Sequence, residues 1–285
     1  MEFLHTSMNE KRVAIVTGSS SGIGFETSLM LARHGFITYA TMRDLHKSSA
    51  LRSIADDEKI PLRCIQLDVT NDASVKEAIE TIVNESQKID VLINNAGYGL
   101  SGALEDLLID EIKSQFDTNY FGLIRTTQAV LPNMRKHRFG IIINISSGLG
   151  RFGMATSSAY ASSKFAIEGL TESMAYELEP FGIRTVLVEP GIIKTNFIKA
   201  AVLGQKSRDP NSPYFQFMNN MEDGMKKLIE NGESPEYVAK VVLEAINDNN
   251  PKLRYLAGKD VEQIMEIKSK VSDEEFHKMI QNMSK

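Results

Sequence analysis

A chain of 285 residues with 42% hydrophobic and 24% charged residues has the composition of a soluble globular protein, and its length is most economically read as one α/β domain. A formal net charge of -5 supplies no basic field to attract nucleic acid or an anionic bilayer, so neither is expected as a partner. The single Cys64 rules out an internal disulfide, and His5, His34, His46, His137 and His277 show no ligand spacing, so no metal site is expected. The opening MEFLHTSMNEKR lacks the apolar core of a signal peptide and no later segment approaches the length of a membrane span, which makes cytoplasmic the expected location.

After a polar tail over residues 1–11, RVAIVT (12–17) reads as a buried parallel strand that breaks into the glycine-rich turn GSSSGIG, followed by a helix from about Gly24 to His34. Strand, glycine turn and helix in that order form a setting in which helix-terminal N–H groups can hold a phosphate. Gly18, Gly22 and Gly24 would let a pyrophosphate approach the backbone; the other reading is a tight connection with no ligand. A second strand, Ile37–Met42, delivers Arg43 and Asp44 at its end. There an arginine would accept a 2′-phosphate and an acid would bind ribose hydroxyls. Arg43 comes first, which favours NADP over NAD, and Ser19 and Ser20 could add hydroxyl donors to the same phosphate.

Residues 45–60 read as a short helix and Leu62–Leu67 as a third strand ending in Asp68-Val69. Asp68 is placed either to reach an adenine amino group or to help cap the amphipathic helix Asp72–Ser86. A fourth strand, Asp90–Asn94, leads into Asn95-Ala96-Gly97, whose amides could equally tie neighbouring strands together. One long helix is expected from Ile109 to His137; Asn119 in its interior must be either exposed or fully hydrogen-bonded. A fifth strand, Gly140–Ile145, ends in Ser146-Ser147. In the helix that follows, Tyr160 and Lys164 are four apart and share a face, so an ammonium beside the phenol would lower its pKa and make an acid/base pair. That helix stops at Pro180 and Gly182, and Ile183–Val188 is a sixth strand closed by Glu189-Pro190-Gly191.

The alternation of strand and helix predicts a doubly wound parallel sheet of about seven strands, a Rossmann-type fold spanning residues 12–260. The glycine turn, Arg43, Asp68, Asn94, Ser147 and Pro190 then all lie at the carboxyl edge, where open α/β sheets bind ligands. Residues 196–233 mix aromatic and methionine side chains with glycine and proline, and read equally as a substrate lid or as two short helices on the core. Ser234-Pro235 starts a helix to about Asn247, Lys252–Ala257 is the seventh strand, and residues 261–285 form a C-terminal helical extension.

On these motifs the sequence resembles a classical short-chain dehydrogenase/reductase over nearly its whole length. They are Thr17-Gly18-x3-Gly22-Ile23-Gly24, Asp68-Val69, Asn94-Asn95-Ala96-Gly97, Asn119, Ser147 thirteen residues before Tyr160, Tyr160-x3-Lys164, and Pro190-Gly191 with Thr195. The Arg43-Asp44 junction, the Lys164–Gly169 continuation and Arg254–Gly258 resemble the NADP-preferring branch that includes 17β-hydroxysteroid and retinol dehydrogenases. The resemblance implies a catalytic set of Asn119, Ser147, Tyr160 and Lys164. Tyr160 would exchange the proton, Lys164 would lower its pKa and hold the nicotinamide ribose, Ser147 would hold the substrate oxygen, and Asn119 would hold a relay water. It implies cofactor contacts from Gly18, Ser19, Ser20, Ser21, Gly22, Ile23, Gly24, Arg43, Asp68, Val69, Asn95, Ala96, Gly97, Tyr160, Lys164, Pro190, Gly191, Ile193 and Thr195. Ile192 would also pass near the nicotinamide.

Leu149, Phe152, Met154 and Phe197, with Leu100 and Ile192, would give an apolar substrate pocket beside Ser147, suited to a hydrophobic ketone, aldehyde or alcohol. The other function classes are a cofactor sensor without catalysis, against which the intact catalytic set argues, and an acyl-thioester reductase, for which Lys199 and Lys206 would supply the basic patch. A homodimer or homotetramer is expected.

Overall fold

The computed structural model describes residues 11–195 and 202–283. Seven parallel strands form the sheet: β1 (Val13–Val16), β2 (Ile37–Met42), β3 (Leu62–Gln66), β4 (Val91–Asn94), β6 (Gly140–Ile145), β7 (Ile183–Pro190) and β9 (Arg254–Ala257), in the order β3-β2-β1-β4-β6-β7-β9. The expected doubly wound sheet is present, with its seven strands. Strands buried on both faces need apolar residues at every position, and alternate residues then serve opposite layers. Ala14, Val16, Ile141 and Ile143 pack with Val238, Val242 and Ala245 of α8 (Pro235–Asn247) and Leu31 of α1 (Gly22–Arg33). Val13, Ile15 and Ile142 pack on the other face with Val75 and Ile82 of α3 (Asp72–Ser86), Val130 and Met134 of α5 (Gly122–His137), and Met174 of α6 (Ser158–Leu178).

A polar ladder runs through this second layer. Asn94 Nδ2 donates to Thr127 Oγ1 (3.0 Å) and Asn144 Oδ1 (2.9 Å), Thr126 Oγ1 donates to Asn94 Oδ1 (2.6 Å), and Asn144 Nδ2 donates to Thr171 Oγ1 (2.8 Å). Asn94 thus joins β4 to β6 and α5, one of the uses its sequence allowed, and in a buried setting each such bond is costly to lose.

Three elements differ from the expectations. The first helix starts at Gly22, so Gly24 lies inside it. The 109–137 segment runs as α4 (Ile109–Phe116), a π turn over Asp117–Phe121 and then α5; the π turn re-aims the chain at Asn119. The C-terminal extension is two helices, α9 (Lys259–Lys270) and α10 (Asp273–Met283), broken at Val271. Ser272 and Glu275 make the break: Glu275 N donates to Ser272 Oγ and Ser272 N to Glu275 Oε2, a capping box that starts a new helix. In the expected lid, a short strand β8 (Val202–Leu203) pairs with β5 (Leu100–Ser101), and α7 (Phe215–Glu230) follows. Among the described residues, no helix is long and apolar enough to cross a membrane.

Candidate active site

The strand order reverses between β1 and β4, which opens a crevice at their carboxyl ends. The glycine turn after β1 forms one wall and Asn95–Gly97 after β4 the other. They are fastened together: Asn95 Nδ2 donates to the carbonyls of Thr17 (2.8 Å) and Gly18 (3.2 Å), and Thr17 Oγ1 accepts from the N–H of Asn95 and Ala96 (3.0 Å each). Gly18 has φ +70°, and a Cβ on it would lie 2.8 Å from Ala96 Cα, so only glycine fits. Ser21 precedes α1 with no side-chain cap bond, and the first turn carries no acid, which leaves a helix N-terminus open to an anion. Gly22 sits under Thr195, whose Cγ2 would be 3.5 Å from a Cβ there, so the Pro190–Thr195 loop reaches across to the glycine turn.

The structure sorts the expected contacts. Ser19 does not serve as a ligand donor. Its hydroxyl is fully buried and donates to Val16 O (2.9 Å), and its N–H donates to Thr41 O (2.9 Å), because the turn needs both to leave β1. Ser20 and Ser21 keep exposure, Ile23 packs against the sheet beside them, and Val69 is buried under α5. Arg43 is exposed at the end of β2, whereas the Asp44 carboxylate accepts from His46 N (3.0 Å) and caps the turn after it. Asp68 holds Thr70 through one oxygen (Oδ1 to Thr70 Oγ1, 2.7 Å); the helix cap that was its other reading belongs to Asn71, which accepts from Ser74 N (3.0 Å). Gly97 faces Asn119, whose Oδ1 would be 3.1 Å from a Cβ there.

At the edge of β6, Ser147 and Tyr160 hydroxyls are hydrogen-bonded, and Lys164 Nζ lies 5.7 Å from the Tyr160 ring centroid. Lys164 is 7% exposed and donates to Ile145 O at 2.8 Å. Burial lowers its pKa to about 8, opposed by the charge of Glu168. The expectation that Lys164 pulls the Tyr160 phenol down is not met in this state. Burial pushes Tyr160 up to about 12, and the hydrogen bond with Ser147 is what opposes it. The reason is geometric, since the lysine is spent on the Ile145 carbonyl rather than aimed at the phenol.

Asn119 is 2% exposed, and its amide is fully used: Oδ1 accepts from Tyr98 N (3.0 Å), and Nδ2 donates to Tyr98 O (2.9 Å) and to Ser163 Oγ (3.2 Å). Its side chain therefore pins the loop after β4 to α6 at Ser163, the residue next to Lys164.

Of the residues expected to line a substrate pocket, Leu149 and Phe152 meet the C-terminal extension. The Phe152 and Phe276 rings stand edge to face at 5.7 Å, with Ile280 and Met279 around them. Met154 is partly exposed nearby in sequence, Phe197 and Lys199 lie outside the described residues, and Lys206 is exposed. Asp260 went unseen in the sequence, although its carboxylate accepts from Ile192 N (2.7 Å) and fills the space that a Cβ on Gly191 would take. An acid just ahead of the expected C-terminal helix was the available signal, but only the fold shows which loop it meets.

The glycine cradle, the uncapped helix terminus and the free Arg43 fit a nicotinamide dinucleotide. The family model for short chain dehydrogenases matches residues 12–206. The chain is 40% identical over 254 residues to retinol dehydrogenase 8 of Bos taurus, covering 85% of this chain and 80% of the relative. It is 36% identical over 261 residues to 3-ketodihydrosphingosine reductase of Bacteroides thetaiotaomicron, covering 92% and 93%. The solved structure of ElxO with NADP bound is similar at a TM-score of 0.75 and 28% identity, covering 89% of this chain and 100% of that one.

Proposed function

The chain belongs to the short-chain dehydrogenase family and is an oxidoreductase of alcohols and carbonyls, and from that premise we propose that it uses NADP(H) to interconvert a bulky apolar ketone or aldehyde and its alcohol. The observation that carries the reading is the meeting of Ser147, Tyr160 and buried Lys164 at the carboxyl edge of the sheet, beside the glycine cradle. The nicotinamide, when bound, supplies a hydride to the carbonyl carbon or takes one from the alcohol carbon. The protein does the rest. Ser147 donates a hydrogen bond to the carbonyl oxygen and stabilises the charge that grows there. As that oxygen takes up the C=O electron pair, Tyr160 gives it the phenolic proton, leaving the alcohol and a tyrosinate. The Lys164 ammonium, held on the Ile145 carbonyl with its Nζ 5.7 Å from the Tyr160 ring centroid, favours the tyrosinate by its charge as it forms, and the proton is restored from solvent.

The choice of NADP rests on Arg43, exposed with its guanidinium available, beside an Asp44 engaged as a cap. The NADP-bound neighbour agrees with it. The substrate class rests on the wall of Leu149, Phe152 and Phe276, and on relatives whose names give retinol and 3-ketodihydrosphingosine, both mostly hydrocarbon. Exposed Ile109, Phe121 and Phe165 on α4 to α6 support association through those helices.

The test is Tyr160→Phe against a panel of apolar aldehydes and ketones with NADPH. Turnover should fall by about a thousandfold or more while NADPH fluorescence titration is unchanged, and NADH should bind more weakly than NADPH. Turnover near wild type in the variant would refute the mechanism.

A further inference from the structure

The loop Pro190–Thr195 reaches from one end of the crevice to the other. At its start, Ile145 of β6 pairs with Val188 of β7 and Ser146 N donates to Val188 O (2.8 Å), so Ser147 and Pro190 follow side by side at the carboxyl edge. At its far end, Thr195 stands over Gly22 of the glycine turn. A dinucleotide with its phosphates at that turn and its reactive ring at Ser147 and Tyr160 must lie along this loop, with the ring toward Gly191 and Ile192.

Main-chain bonds fasten the loop on two sides: Gly191 N donates to Ala257 O (3.1 Å), Glu233 N to Ile192 O (3.0 Å) and Lys194 N to Glu233 O (2.7 Å). A side chain from far along the sequence adds to them, since Ile192 N donates to Asp260 Oδ2 at 2.7 Å. Asp260 lies in the first turn of α9, where the helix N-terminus favours a carboxylate. Glycines on both sides make room for it. Its Oδ1 fills the space that a Cβ on Gly191 would need and lies 2.6 Å from where a Cβ on Gly258 would be, and Gly258 has φ +142°. The next residue, Val261, is 3% exposed, and its Cγ2 would be 2.8 Å from a Cβ on Gly148, directly after Ser147. Two consecutive residues of α9 thus touch the loop and the turn that bears Ser147.

We infer that Asp260 is a positioning residue: its carboxylate, bonded to Ile192 N and seated between Gly191 and Gly258, holds this end of the loop in place for the nicotinamide half of the cofactor. The inference rests on the proposed use of a nicotinamide dinucleotide. Without the carboxylate, the Ile192 N–H loses this acceptor and the Gly191–Ile192 segment is free to shift. The glycine turn at the other end is fastened by Asn95 and Thr17, and the change does not touch it.

The test compares two ligands on the full-length protein: NADPH, and ADP-ribose 2′-phosphate, the same molecule without its nicotinamide ring. In Asp260→Ala the Kd for NADPH should rise about tenfold, while that for ADP-ribose 2′-phosphate stays within about twofold. Asp260→Asn, whose amide oxygen can still accept from Ile192 N, should recover most of the loss. Amide exchange followed by NMR on the free protein should show the Ile192 N–H exchanging faster in Asp260→Ala and near the wild-type rate in Asp260→Asn. An unchanged Kd for NADPH in Asp260→Ala, or a parallel loss for both ligands as a destabilised fold would give, would overturn the inference. A wild-type protein that binds NADPH and reduces no carbonyl would count against the proposed reaction, and selective loss of NADPH binding in Asp260→Ala would still support the role of Asp260. A wild-type protein that binds neither ligand would overturn the cofactor assignment and this inference together.

Discussion

Gly24 sits in the first turn of α1, where alanine is the better helix former by about 1 kcal/mol. Space reverses that preference. A Cβ at Gly24 would lie 2.4 Å from Asn95 Nδ2 and 2.5 Å from the Gly18 carbonyl oxygen, and the second neighbour is backbone that cannot swing away. Asn95 could yield only by giving up its bonds to Thr17 O and Gly18 O, which fasten the two walls of the crevice. Overpacking costs about 1–3 kcal/mol and each lost hydrogen bond about 1 kcal/mol. Set against the propensity gain, Gly24→Ala should lose about 2–4 kcal/mol net. Gly224, exposed in the middle of α7, has nothing within 4 Å of its Cβ position, so the same substitution there should gain up to about 1 kcal/mol. Thermal and urea unfolding followed by circular dichroism measure both; at about 2–4 °C per kcal/mol the first variant should melt roughly 5–10 °C lower. NADPH affinity should fall by about tenfold or more in Gly24→Ala, because the N–H groups at the start of α1 must move. A Gly24→Ala protein as stable as wild type would refute the steric reasoning.

Asn94→Ala leaves the acceptors on Thr127 and Asn144 unpaired in the core, while Thr126 Oγ1 keeps the carbonyls of Gly122 and Leu123, and should cost about 2 kcal/mol or more in urea unfolding. Phe276→Ala should cost about 3–5 kcal/mol and, by uncovering Phe152, raise KM for an apolar substrate more than it lowers kcat; an unchanged KM would separate α10 from the pocket. Burial and the charge of Glu168 raise Glu189 to about 7 from 4.5, so the folded state binds more protons between those values, and wild-type stability should fall as pH rises through them. Glu189→Gln cannot titrate, and its stability relative to wild type should therefore improve steadily from pH 4.5 to 7; a flat difference would exclude Glu189 as the source.

Much of this protein can be read in one dimension because its signals are local. Strands buried on both faces must be apolar throughout, so VAIV, VLIN and GIIINI announce a parallel sheet. A glycine turn between strand and helix, and a tyrosine and lysine one helical turn apart, mark a candidate cofactor edge and a candidate acid/base pair with no knowledge of the neighbours. The Ser234 cap and the following proline set the start of α8 in the same way.

What the tertiary structure decided are the interactions between residues far apart in sequence. Ser19 looks like a ligand donor until the turn consumes both its hydroxyl and its N–H. Asn119 looks like a misplaced helix amide until Tyr98, 21 residues away, takes both its ends. The effect of Lys164 on Tyr160 depends on where the ammonium points and how far water is excluded, and neither is encoded in a four-residue spacing. Asp260 on the loop after Pro190, and Arg254 between Glu168 and Glu189, join residues up to 86 positions apart. Helix and strand periodicity record which side of an element is buried. Which charge meets which is settled only when distant segments are brought together at one edge of the sheet, in an interior where an unpaired charge cannot persist.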